Sequence, residues 1–182
     1  MDNKKIRNLE IAGIFFTYLL GTFLRYSCQI FSWEIWTILC GAVNESAWET
    51  TKCFTLPYLI WAAIEFCLIK MPIKKFIVSK TAGIYTIISL FVVEFSLAQA
   101  VSEWTPGLLN IFTCLIWVSL GFYISYKTSV YRHVLDDLLV FCVFMMILFF
   151  SMYLSFTINP PHINFFRDNI MQIYGIPMCP VC

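Results

Sequence analysis

Residues 137–157 read DLLVFCVFMMILFFSMYLSFT, a run of 21 residues whose single charged side chain stands at its first position. About 20 predominantly apolar residues, coiled as an α-helix, cross the roughly 30 Å hydrocarbon core of a bilayer. A run this long and this apolar is typical of a transmembrane helix. It indicates that the chain is an integral membrane protein.

Four further segments of the same kind precede this run, some of them with semi-polar ends. They lie at about residues 9–31, 53–69, 81–101 and 108–126. The loops between them are short, and no Pro, Gly or Ser-rich linker marks a soluble domain. Hydrophobic residues make up 60% of the chain and charged residues 13%, whereas soluble domains are nearer 25% charged. The sequence predicts an all-α bundle of five transmembrane helices, with residues 1–182 as one multi-pass domain in the cell membrane.

The basic residues predict how this bundle is oriented. Of the 12 Lys and Arg residues, only Arg25, Lys52 and Arg167 lie outside three short stretches that alternate with the apolar segments. The stretches contain Lys4, Lys5 and Arg7; Lys70, Lys74, Lys75 and Lys80; and Lys127 and Arg132. Positive charge stays on the cytoplasmic side. Five crossings from a cytoplasmic N-terminus put all three stretches there and the C-terminus outside. Because this topology accounts for the charges, and no basic face carries interleaved aromatics, nucleic acid is excluded as a partner.

Two polar segments are then predicted to share the outer face. The loop after the first helix ends in NESAWETTK (residues 44–52), and the tail after the fifth contains NPPHINFFRD (residues 159–168). Asn44 is a good helix N-cap, and acidic residues favour a first turn, so the second helix is predicted to begin near Asn44 and to bend near Pro57. One interpretation is a capped helix end with a Glu49–Lys52 pair on a wet surface. The other is a polar site at the membrane surface.

Two ionisable residues inside the apolar segments favour a site. Arg25 interrupts the outer half of the first helix and Glu94 the outer half of the third. Such groups are costly in a bilayer unless they are paired or face a polar cavity, so an Arg25–Glu94 ion pair is predicted beneath the loop. The candidate catalytic residues are Glu45, Glu49 and His162. The candidate ligand-binding residues are Arg25, Asn44, Ser46, Trp48, Lys52, Glu94 and Asp168.

Other reactive side chains have simpler interpretations. Glu65 lies near the inner end of the second helix, where it can reach the interface or pair with a loop lysine. Asp136 and Asp137 favour the start of the fifth helix. His133 and His162 are predicted on opposite faces, so they cannot share a metal ion, and no metal site is predicted. The sequence names no cofactor and leaves the oligomeric state open.

At the two outer segments the chain resembles a family of small bacterial integral membrane proteins of unknown function. The resemblance rests on VNESAWE (residues 43–49), Lys52, Pro57 with the apolar run to Glu65, and the tail motifs PPH (160–162) and YGI (174–176) with their neighbours. The third and fourth helices match only as apolar spans. In that family a His often takes the position of Arg25 and another that of Thr50, which implies a metal-dependent hydrolase site. This chain keeps only His162.

Two functions use the outer cluster. The first is an enzyme that acts on a lipid or lipid-linked substrate, with Glu45 or Glu49 as general base and His162 as acid or ligand. Arg25 or Lys52 would then hold an anionic headgroup. The alternative is a small-molecule binding or transport protein, in which the same cluster receives a ligand from outside.

A third function would use thiols. The chain contains eight cysteines, and Cys179 and Cys182 form a C-x-x-C near its end. A quinone-linked thiol oxidoreductase needs a second thiol pair able to meet the first. Cys28, Cys40 and Cys53 are predicted near the same outer side.

Overall fold

The computed structural model describes residues 3–31, 34–100, 108–131, 138–168 and 171–176, and it is helical almost throughout them. Its helices are α1 (Asn3–Ile30), α2 (Ile35–Cys40), α3 (Ala47–Leu68), α4 (Ile73–Ala100), α5 (Leu108–Val130) and α6 (Leu138–Ile158). A short 3₁₀ turn, Asn164–Phe166, and one antiparallel bridge between Arg167 and Tyr174 shape the tail. The predicted all-helical architecture is therefore confirmed for the described residues.

Four helices of this described part are long and apolar enough to cross a membrane. They are α1, α3, α4 over Ile73–Ala98, and α6. The predicted span at 108–126 lies within α5, a helix of 23 residues that is not among those four. Helices α3 and α4 begin at residues 47 and 73, ahead of the predicted spans at 53–69 and 81–101. The early starts bring polar residues of both helices into the bundle.

Consecutive long helices run in opposite directions. At one end of the α1–α3 pair, Lys5 Nζ donates to the Leu68 carbonyl at 2.8 Å. At the other end, Arg25 of α1 reaches the residues just before α3. The hydroxyl of Tyr85 in α4 donates to the carbonyl of Met145 in α6 at 2.7 Å, and Tyr153, further along α6, donates to the carbonyl of Leu39 in α2, the short helix that follows α1. These contacts, with those of α5 described below, give an up-and-down order in which α1 begins and α6 ends at opposite ends of the bundle.

Small residues allow α4 and α5 to approach closely. A Cβ atom added to Gly83 would lie 2.9 Å from the Gly121 carbonyl oxygen and 2.1 Å from the hydroxyl of Tyr58. Glycine at such a crossing lets two helix backbones touch, which is a common source of stability between helices in a membrane. Around this crossing the core is built from apolar side chains of α3, α4, α5 and α6, including Phe54, Ile84, Ile87, Val118, Phe122 and Phe149.

The short helix α2 covers the end of the bundle where α1 ends and α3 begins, which we call the rim. The sequence predicts an ordinary loop here. Cys28 of α1 donates its thiol to the Thr37 carbonyl at 3.2 Å, and the Tyr153 hydroxyl of α6 donates to the Leu39 carbonyl at 2.9 Å. The segment between the first and second spans is therefore held down on the helices beneath it.

Candidate functional site at the rim

The loop before α3 and the tail after α6 meet at the rim. The backbone N–H of Glu45 donates to Asp168 Oδ2 at 3.0 Å, and Asn44 Nδ2 donates to the Gly175 carbonyl at 2.9 Å. Beneath them, the indole of Trp48 packs against Phe156 and Phe166 with ring centroids 5.3 and 5.4 Å apart. Segments more than a hundred residues apart thus form one surface, as the sequence predicts.

Helix α3 is capped by Ser46, so the predicted N-cap at Asn44 is wrong by two residues. Ser46 Oγ accepts the N–H of Glu49 at 3.3 Å. Asn44 Oδ1 instead accepts the N–H of Ser46 at 3.0 Å. Asn side chains commonly bond the backbone two residues on and so stabilise a turn. Asn44 therefore shapes the turn that leads into the helix.

Glu49 and Lys52 form the predicted ion pair, but they are buried. Lys52 Nζ lies 2.6 Å from Glu49 Oε2 and also donates to the Ile38 carbonyl at 3.2 Å. Glu49 Oε2 accepts the N–H of Val43 at 3.1 Å. Glu49 is 3% exposed and Lys52 1%. The predicted pairing is confirmed, but the predicted wet surface is wrong, because α2 and the following loop fold over the start of α3.

Arg25 pairs with Glu45, and the predicted Arg25–Glu94 pair is wrong. Arg25 Nη2 donates to Glu45 Oε2 at 2.6 Å, and the two side chains are 17% and 30% exposed. Glu94 of α4 accepts from Thr113 Oγ1 at 2.7 Å and from Trp117 Nε1 at 2.6 Å. Because α5 already satisfies Glu94, the loop supplies the carboxylate for Arg25. The Arg25–Glu45 pair is more accessible than the Glu49–Lys52 pair.

His162 is exposed and stacks on Tyr174, with ring centroids 4.7 Å apart and planes 15° from parallel. Glu45 and Glu49, its proposed catalytic partners, are engaged by Arg25 and Lys52 instead. The structure therefore brings all three residues to the rim, where the charged partners of the two carboxylates are Arg25 and Lys52 and His162 stacks on Tyr174. The buried indole N–H of Trp48 has no hydrogen-bond partner among the described residues, which leaves one spare donor here.

A second charged cluster is the buried triad of Glu10, Glu65 and Lys80, of which the sequence allows only a pair between Glu65 and a lysine of the following loop. Lys80 Nζ lies 2.9 Å from Glu10 Oε1 and forms an ion pair with Glu65 Oε2. Ser125 Oγ donates to Glu10 Oε1 at 2.8 Å. The sequence interpretation put Lys80 in a cytoplasmic loop, but α4 begins at residue 73, so Lys80 points into the bundle. The available signal was that all three residues fall near the inner ends of predicted spans.

Comparison with known proteins places the chain by family. A family described as "Family of unknown function (DUF6512)" matches residues 1–176. The chain belongs to DUF6512. The DUF6512 match includes both segments of the rim and all three residues of the triad, so both clusters lie within the family unit. No curated protein and no solved structure matches the chain.

The described part of this DUF6512 member bears on the metal and thiol hypotheses in different ways. In that part, no three His, Cys, Asp or Glu side chains are placed to hold a metal ion. Cys28 and Cys53 are buried free thiols, and Cys40 is a partly buried one. His133, Asp136, Asp137, Cys179 and Cys182 lie outside the described residues. The thiol oxidoreductase hypothesis therefore stays a prediction.

Proposed function

We propose that this protein crosses a bacterial cell membrane five times, with its N-terminus in the cytoplasm and the rim on the outer face. Four candidate spans support this threading, together with the up-and-down order of the long helices. Helix α5 has 23 residues and packs mainly against α4 and α1, in the place that a fifth span requires. The alternating basic stretches then lie on one side, as positive charge in the cytoplasm demands.

We infer that the rim binds the anionic headgroup of a membrane lipid or of a lipid-linked substrate, with Arg25 as the anchor. The observation that carries this proposal is the partly exposed Arg25–Glu45 pair, 2.6 Å between Nη2 and Oε2. Glu45 belongs to the loop before α3, so its carboxylate is the component of the pair that a ligand can replace. A guanidinium binds phosphate or carboxylate oxygens through two parallel N–H groups.

Binding fits the rim better than catalysis does. A general base needs a carboxylate that is free to take a proton, whereas Glu49 is buried against Lys52 and Glu45 is held by Arg25. A headgroup that bound Arg25 would take this cation from Glu45. The enzyme hypothesis then requires the carboxylate of Glu45 to meet His162 across the rim. Headgroup binding is therefore the first step of either function.

Lipid retention in native mass spectrometry tests this proposal. The purified protein is released from nanodiscs of phosphatidylcholine and phosphatidylglycerol, and the bound lipids are counted for the wild type, Arg25→Gln and Arg167→Gln. Arg167 is an exposed cation of the tail and serves as the matched control. Hydrogen bonds to charged groups contribute about 1.5–3 kcal/mol, so Arg25→Gln should weaken phosphatidylglycerol binding roughly 10-fold or more. Equal retention by the two variants would contradict an anchoring role for Arg25.

A transport protein for a small ligand is the second candidate, and the buried triad favours it. Glu49 and Lys52 lie at one end of α3, and Glu65, which pairs with Lys80, lies at the other. Ionisable groups inside spans mark ion and substrate pathways in many transporters. Currents on a supported membrane, induced by inorganic phosphate, glycine or ethanolamine, test this function. A current that Lys80→Met abolishes would favour transport over headgroup binding alone.

A further inference from the structure

The buried triad joins three helices through one lysine. Glu10 comes from α1, Glu65 from α3 and Lys80 from α4, and they are 3%, 1% and 5% exposed. Lys80 Nζ contacts one oxygen of each carboxylate. The rings of Tyr58, Phe76 and Phe122 surround the ammonium, with centroids 5.9, 5.6 and 5.8 Å from Nζ. The cluster is thus walled by aromatic side chains within the bundle.

The charges of the triad do not balance. Two carboxylates and one ammonium leave one negative charge, and no other cation among the described residues contacts either carboxylate. The remaining neighbours are neutral, namely Tyr58 of α3 and Ser125 of α5. An unpaired charge in so dry a place is costly, because a low-dielectric interior stabilises it far less than water does.

One oxygen of the triad is also left without a bond. Glu10 Oε1 is contacted by both Lys80 Nζ and Ser125 Oγ. Glu10 Oε2 is buried and has no hydrogen-bond partner among the described residues. The unused oxygen therefore belongs to one of the two carboxylates that share Lys80. Thr17 lies seven residues after Glu10 on the same face of α1. Its buried hydroxyl also has no hydrogen-bond partner among the described residues.

We propose that the triad is a proton-binding site, which takes up one proton on Oε2 of Glu10. A proton needs a single acceptor atom and makes the three groups neutral together. A metal cation fits less well, because the ammonium of Lys80 already stands between the carboxylates and would repel it. Protonation at this site is thereby linked to the packing of α1, α3 and α4, the three helices that carry the triad. It rests on no assumption about the rim, so it stands or fails apart from headgroup binding.

Infrared spectroscopy of the protein in nanodiscs detects such a proton directly. A protonated carboxylic acid gives a C=O stretching band that a carboxylate lacks. The wild type should show this band at neutral pH, and replacing sodium by choline should leave it unchanged. Its absence at neutral pH would overturn the proposal, and so would its loss on addition of sodium, since a cation would then occupy the site.

Five variants, one of them a control, identify the group that carries the proton. Glu10→Gln or Glu65→Gln leaves one carboxylate against one ammonium, so either should abolish the band. Glu49→Gln is the matched control, because this buried carboxylate is already balanced by Lys52, and the band should remain. Glu10→Asp should shift the band and Glu65→Asp should not. The assignment would be refuted if the band remained in both Gln variants, or if Glu65→Asp shifted it.

Discussion

Replacing Lys52 by Met tests whether the buried Glu49–Lys52 pair fixes the start of α3. Met is similar in length to Lys but has no charge, so the variant loses the 2.6 Å contact with Glu49 and the bond to the Ile38 carbonyl. The carboxylate of Glu49 would stay buried and would keep its hydrogen bond from the backbone N–H of Val43. Removing one partner of a buried ion pair costs roughly 3–5 kcal/mol. We expect the free energy of unfolding to fall by about that amount.

A double-mutant cycle separates the pair from its surroundings. Unfolding of the wild type, Lys52→Met, Glu49→Gln and the double variant is followed by circular dichroism in mixed dodecylmaltoside and SDS micelles. Replacing both members of a buried pair by neutral groups is often close to neutral in stability. The double variant should therefore recover most of the loss seen in Lys52→Met. A Lys52→Met cost below about 1 kcal/mol, or no recovery in the double variant, would refute a structural role for the pair.

Three further changes test the packing around the rim and the helix crossing. Gly83→Leu should lower the unfolding free energy by about 1–3 kcal/mol, because its Cβ would meet the Gly121 carbonyl oxygen at 2.9 Å; an unchanged melting temperature would contradict the close crossing. Trp48→Ala should cost about 3–5 kcal/mol in the same melting assay, since the ring is 6% exposed, and a loss under half of that would show a loosely packed tail. Asp168→Ala removes the acceptor for the Glu45 N–H, so limited proteolysis should cut the tail faster than in the wild type, whereas equal rates would show that other contacts hold it.

The long helices could be predicted because bilayer thickness sets the length of an apolar run. The segment at 137–157 was predicted as a span on this ground, and α6 (Leu138–Ile158) is found there. The same reasoning misses α2, because six residues are too short to show a hydrophobic period. It also leaves residues 73–80 of α4 outside the predicted span at 81–101, since Lys80 was assigned to the loop by its charge alone. Hydropathy cannot tell a lysine in a loop from one buried against two carboxylates.

The site residues could be named from the sequence, but their partners could not. Arg25 and Glu94 stand out as ionisable groups in apolar segments, and both prove to be hydrogen-bonded inside the bundle. Which carboxylate faces Arg25 depends on how α1 is rotated and on how the loop folds back, and neither is encoded in residue spacing. Arg25 pairs with Glu45 because the loop before α3 folds back over the end of α1, whereas Thr113 and Trp117 of α5 bind Glu94. Glu10 was overlooked because a single acid near a helix start is usually solvated.

The threading of the chain decides whether the rim faces the outside, and reporter fusions measure it most directly. Alkaline phosphatase folds only outside the cytoplasm of a bacterial host, and green fluorescent protein fluoresces only when it folds inside. Fusions after residue 72, between α3 and α4, should give fluorescence and no phosphatase activity. Fusions after residue 182 should give phosphatase activity and no fluorescence. If the fusions after residues 72 and 182 were both fluorescent, the chain would cross the membrane an even number of times between them, which would contradict five crossings.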